Sequence, residues 1–150
     1  MDTLQIPNPA ASQRRHVLFA TDLGASSARA AGEAIELAAE QEAVLLILNV
    51  MPPAGLPHLG RRRGPNGERE RRERLAREIV ARATARGVTA TSVVWYGDPA
   101  EAIIEAAWTE RADVVVLGSR KRTDLGRLLL GSVSSQVVVE ATCPVVVVPA

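Results

Sequence analysis

The chain is short of several things, and each shortage removes a class of function. There is one cysteine, Cys143, among 150 residues. It permits no internal disulfide and no multi-cysteine metal centre, fits a reducing compartment, and reads as a small buried residue beside a strand. The two histidines, His16 and His58, are too few and too scattered for a zinc site or an evident catalytic triad. Aromatic residues make up 3% of the chain against 47% hydrophobic in all, so the core is to be packed from Val, Leu, Ile and Ala, as in a parallel sheet covered on both faces. No window approaches the ~18 consecutive apolar residues of a membrane span. The opening MDTLQIPNPAASQRR lacks the basic start and apolar centre of a signal peptide. A formal net charge of +1 supplies no general attraction to nucleic acid or to an anionic membrane. The expectation is a cytoplasmic protein with no membrane and no nucleic-acid partner, built as a loosely ordered leader over 1–14 and one domain over 15–150.

Some motifs are missing as well. There is no G-x-x-x-x-G-K-[ST] phosphate loop, no G-x-G-x-x-G after the first strand-like run, and no G-x-S-x-G elbow. A Walker-type NTPase, a standard dinucleotide fold and a serine hydrolase are thereby set aside.

What is present is alternation. Five short β-branched-rich runs, HVLFAT (16–21), AVLLILNV (43–50), TATSVVW (89–95), DVVVLG (113–118) and PVVVVP (144–149), are mostly continuous and read as strands buried on both faces. Between them lie helical segments. Ser26 to Glu42 sets Ala30, Ala34, Leu37 and Ala38 against Glu33, Glu36 and Glu40. The segment from about Gly67 to Arg86 spaces Leu75, Ile79, Val80 and Ala83 for one face, with Glu68, Arg72, Glu70 and Arg74 in favourable i,i+4 order on the other. GDPAE is a helix start, with Asp98 to cap and Pro99 at the first position; Ile103, Ile104, Ala107 and Trp108 are expected to face the core. SVSSQVVVEA (132–141) is the fourth helix. The order strand-helix repeated to a fifth strand implies right-handed crossovers and a doubly wound α/β sheet. The stretch from Pro52 to Glu68, rich in Pro, Gly and Arg, reads as a long loop, and its Arg61–Arg63 as a solvated face.

In such a sheet a ligand sits beyond the carboxyl ends of the strands where their order reverses, between strands one and four if strand one is central. Two loops meet there, ATDLGASS and GSRKRTDLGRLLLGS. The second ends in Gly131, Ser132, Val133 and Ser134 at a helix start, where free amides and the helix dipole favour an anion; alternatively, Ser132 only caps its own helix. Gly118 lets a backbone approach a ligand or is a plain turn residue. Asp22 accepts from a ribose or base amino group, helps to hold magnesium, or caps the next helix.

Taken in order and spacing, ATD (20–22), LNVMPP (48–53), GDPAEAIIEAA (97–107), ADVVVLGSR (112–120) and LLLGSVSSQVVVEATCPVVVVP (128–149) resemble the universal stress protein family over nearly all of the chain from His16 to Pro149. The resemblance implies a single-domain, five-stranded, Rossmann-like parallel sheet in the order 3-2-1-4-5 with helices on both faces. It also implies a homodimer joined through the C-terminal strand, 144–149. The family divides into members that bind ATP and members that do not, and the binders share G-x2-G-x9-G-[ST]. Here Gly118 matches the first glycine, Gly131 the last and Ser132 the following hydroxyl, with Arg122–Leu130 between them. Asp22 matches the aspartate near the adenosine, with Thr21 beside it and Val50 along the adenine. Arg120, Val133 and Ser134 match positions that contact phosphates or sugar.

The second glycine is replaced by Lys121, the only lysine of the chain. A lysine forced to φ > 0 is strained by about 1 kcal/mol and brings a side chain into the approach path, whereas its charge, with Arg120 and Arg122, suits a triphosphate. The expected function is an ATP-binding regulatory stress-response module, with or without magnesium, and not primarily an enzyme, since no residue stands out as a base for attack on the γ-phosphate. The rival is a nucleotide-free homodimer acting through protein contacts.

Overall fold

The apolar runs are spaced for strands, and the chain uses them so. The computed structural model describes residues 14–53, 65–119, 121–122 and 128–150. The expected leader, apart from Arg14, and most of the expected long loop lie outside the described residues. So does Arg120. The elements are β1 (His16–Ala20), a 3-10 turn (Ala25–Ser27), α1 (Ala28–Glu40), β2 (Val44–Met51), α2 (Pro65–Ala85), β3 (Ala90–Tyr96), α3 (Pro99–Thr109), β4 (Val114–Ser119), the two-residue strands β5 (Lys121–Arg122) and β6 (Leu128–Leu129), α4 (Ser132–Glu140) and β7 (Val145–Pro149). The main sheet has the order β3-β2-β1-β4-β7 and is parallel throughout. This is the 3-2-1-4-5 sheet, counting β7 as its fifth strand.

Continuous hydrophobic strands make sense because both faces are covered. Val17, Phe19, Leu45, Ile47, Val114 and Val116 point to one side and pack with Ala30, Ala34 and Ala38 of α1 and Ala76 and Ala83 of α2. Leu18, Leu48, Val115 and Leu117 point to the other, against Ala100, Ile103 and Ala106 of α3 and Val137 of α4. The alanine stripes let the helices lie close to the sheet, which replaces ring volume with short contacts. Cys143 packs at the margin of the second layer, half-buried. Burial, and then the charge of Asp113, push its thiol above the ordinary range.

Helix ends follow local chemistry. The Asp98 carboxylate accepts from the Glu101 amide at 3.0 Å with Pro99 at the first helical position, as the sequence suggests. α2 begins at Pro65, so the last residues of the expected loop are helical; a proline is tolerated there because the first helical amides have no intrahelical partner. Trp108 does not face the core. It is 71% exposed, because the buried stripe of α3 is Ala100, Ile103, Ala106 and Ala107. Ile104 lies at the margin of that stripe, and Trp108, one turn further on, falls outside it.

The segment expected to be a plain loop after β4 contains an antiparallel pairing. Lys121 stands opposite Leu129 and Arg122 opposite Leu128, and the ribbon returns the chain to Gly131. A residue in a paired strand has extended backbone, which lysine adopts freely. In such a conformation lysine carries none of the strain expected of it at φ > 0.

Candidate functional site

β1 lies between β2 and β4, and helices α1 and α3 leave the sheet on opposite faces, so the carboxyl ends of these strands frame a crevice. A cavity of about 490 Å³ opens there. The structure brings Thr21, Asp22, Val50, Gly118, Gly131, Ser132, Val133 and Ser134 together in its wall. All of the expected site residues except Arg120 and Lys121 lie in this one place. Lys121 is described only as backbone in β5, and Arg120 is outside the described residues.

The strand-one loop is built by side-chain hydrogen bonds. Ser27 Oγ donates to the Gly24 carbonyl at 2.8 Å, so the 2.9 Å contact between the Thr21 and Ser27 hydroxyls is donated by Thr21. Thr21 Oγ1 accepts from the Leu23 amide at 2.9 Å. That bond holds Leu23 at φ 63, a left-handed conformation unusual for leucine. Asp22 Oδ1 accepts from the Gly24 amide at 2.8 Å, a turn-forming Asx contact. Neither the 3-10 turn nor α1 is capped by the side chain of its own N-cap residue.

At the other end the work falls to the backbone. Gly131 is the N-cap of α4 with φ −73 and ψ 176, and no side chain caps it. Ser132 is thus the first helical residue and not the cap. The first helical bond runs from the Ser135 amide to the Gly131 carbonyl at 2.9 Å, which leaves the amides of Ser132, Val133 and Ser134 without helical acceptors. They present a concave set of donors, reinforced by the dipole of the helix. A Cβ at Gly131 would meet nothing within 4 Å, so a side chain there projects into open space beside the cavity. At Gly118 a Cβ would lie 3.4 Å from that of Ala30 and 3.5 Å from Ser27, ordinary contacts, so packing alone does not call for a glycine there.

Between the two ends the wall is apolar, formed by Leu48, Val50, Pro52, Pro99, Ile103 and Leu117. Such a slot, flat and apolar in the middle with donors at one end, suits a planar ring joined to an anionic group. Among the described residues no group of three or more His, Cys, Asp or Glu side chains could hold a metal ion. Asp22 is the carboxylate in the wall.

Two participants are absent from the sequence reading. Asn49 is fully buried in β2, donates Nδ2 to the Thr21 carbonyl at 2.8 Å and accepts from Arg72 Nη1 at 3.1 Å. Arg72 of α2 lines the cavity. An asparagine inside VLLILNVM was a usable signal, since a buried amide must have partners. Arg72 had none, being one of several arginines in a highly charged helix.

The comparisons with known proteins agree with this architecture. The model of the universal stress protein family matches residues 13–149. This chain belongs to the universal stress protein family. It is 38% identical over 136 residues to a universal stress protein of Thermus aquaticus, covering 88% of this chain and 96% of that one. It is 33% identical over 143 residues to one of Methanocaldococcus jannaschii, covering 89% and 81%. Among solved structures, a universal stress protein in complex with cAMP superposes with a TM-score of 0.70 at 29% identity, over 92% of this chain and 98% of the other. No described helix is long and apolar enough to cross a membrane.

Proposed function

We propose that this universal stress protein binds an adenine nucleotide, ATP, in the cavity at the ends of β1, β2 and β4, and acts as a cytoplasmic regulatory stress-response module and not as an enzyme. The observation that carries the reading is the pairing, in one slot, of the free amides of Ser132–Ser134 with an apolar wall that includes Val50. In this reading the phosphates lie on α4, with Gly118, Arg120, Lys121, Gly131 and Ser132 around them, and Thr21 and Asp22 face the sugar. Magnesium, where it accompanies the nucleotide, would be held chiefly by phosphate oxygens and water, with Asp22 as the nearby carboxylate. That a universal stress protein of the same fold is known in complex with cAMP supports binding of an adenine nucleotide.

A second reading draws on the sheet edge. β7 ends the main sheet, and Val146 (42% exposed) and Val139 (81% exposed) lie open on β7 and α4. An unpaired valine-rich edge favours pairing with another chain, so a homodimer through 144–149 is compatible with a protein that works by contacts alone.

The experiment is to denature the purified protein and look for released ATP, ADP or AMP, and to record the melting temperature with millimolar Mg-ATP. Released nucleotide or a clear upward shift is expected. No nucleotide and no shift would leave the contact-only homodimer.

A further inference from the structure

Arg72 lies outside the glycine pattern of the site, yet it is the basic side chain that the described wall of the cavity contains. A guanidinium has five N–H donors and no acceptor, and three of these five have protein partners. Nε donates to Glu68 Oε1 at 2.9 Å, while Nη1 faces Asn49 Oδ1 at 3.1 Å and the Val50 carbonyl at 3.5 Å. The two donors of Nη2 have no acceptor among the described residues. The side chain is 21% exposed. One of its anchors, Asn49, is itself fixed to the Thr21 carbonyl. The guanidinium is therefore ordered before any ligand arrives, so little further freedom is lost on contact.

Its position assigns the contact. Arg72 meets the sheet at the end of β2, beside Val50, whereas the anion-accepting amides belong to α4, which follows β4. β1 stands between the two strands, a separation of roughly 10 Å from two strand spacings. A nucleotide whose phosphates occupy the α4 end thus lays its base toward Arg72.

We infer that Arg72 reads the base of the bound nucleotide through Nη2, and that the cavity accepts 6-oxopurine nucleotides as well as adenine nucleotides. The inference rests on the nucleotide reading given above. One N–H of Nη2 can donate to O6 of a 6-oxopurine, whereas adenine presents at that position an amino group that is itself a donor. A pre-ordered arginine at the base edge accordingly favours the oxo form and offsets the adenine preference of the remaining wall.

The test titrates Mg-ATP and Mg-GTP into the wild type, Arg72→Met and Arg72→Lys by calorimetry, with circular dichroism to confirm folding. In the wild type GTP is expected to bind within about tenfold of ATP. Arg72→Met should weaken GTP by roughly 10- to 100-fold, the loss of a charged hydrogen bond, and ATP by no more than about threefold. Arg72→Lys keeps the charge but not the planar fork, so it too should lower the GTP-to-ATP affinity ratio, and it carries the test if the Met variant is unfolded. The proposal is overturned if the wild type binds ATP but binds GTP more than about 100-fold more weakly, or if both variants leave the ratio unchanged. Uptake of neither nucleotide by the wild type overturns the nucleotide reading itself and this inference with it.

Discussion

The two ends of the cavity are made in different ways. The strand-one loop is a chain of specific side-chain hydrogen bonds, from Arg72 through Asn49 to Thr21, Ser27 and the Gly24 carbonyl. The α4 end is a bare helix N-terminus, with Gly131 as its N-cap and no side-chain cap bond. The first end is part of the fold: Thr21, Ser27 and Asn49 are buried, and removing one of them strands another. The second is an opening that any sequence with a small residue at Gly131 can provide. The contrast predicts that substitutions at the first end are read mainly as lost stability, and at the second mainly as lost binding.

The largest effect should come from Asn49→Leu. It leaves the Thr21 carbonyl without its side-chain donor and takes from Arg72 its Oδ1 acceptor, a loss of roughly 2–4 kcal/mol. The melting temperature should drop by about 5–15 °C; a drop within error would mean that the loop does not depend on this amide. Ser27→Ala is milder. It removes the acceptor of the Thr21 hydroxyl and the donor to Gly24, which should lower stability by about 1–2 kcal/mol in chemical denaturation, with a midpoint shift at constant slope. The smallest change in stability belongs to Ser132→Ala, since that hydroxyl caps nothing: within about 0.5 kcal/mol of wild type, while nucleotide affinity falls if the hydroxyl meets a phosphate. A marked destabilisation by this substitution would erase the contrast between the two ends.

Much of the fold was readable because its signals repeat. The runs of β2, β4 and β7 are mostly valine, leucine and isoleucine, and Asp98-Pro99 marks the start of α3 through local capping. The alternation of elements, with strand one central, brings the loops of Asp22 and of Gly118 to Gly131 to one crevice, and the strand order is what the family resemblance implies. Other features rest on contacts between residues distant in sequence, or on signals too short to detect. Arg72 lies 23 positions from Asn49, and nothing in its own helix distinguishes it from its neighbours. The β5–β6 ribbon has two residues to a strand, too few for a period to show. Trp108 was misplaced because a helical stripe of alanines has a margin, and the sequence does not reveal how far the neighbouring elements cover it. Leu23 at positive φ is invisible in the sequence, since the bond that holds it comes from Thr21 two residues earlier.

The central claim is that the cavity holds a nucleotide with its phosphates on the α4 end. Gly131→Val tests it most directly, because a Cβ there meets nothing within 4 Å and its φ of −73 is open to any residue. The measurement is the binding of Mg-ATP by calorimetry to wild type and to Gly131→Val, beside the melting temperature of each without ligand. The account predicts saturable binding to the wild type, none to the variant, and melting temperatures within about 5 °C, since valine is a poorer N-cap than glycine. Equal binding by both proteins, or none by the wild type at millimolar nucleotide, would contradict it.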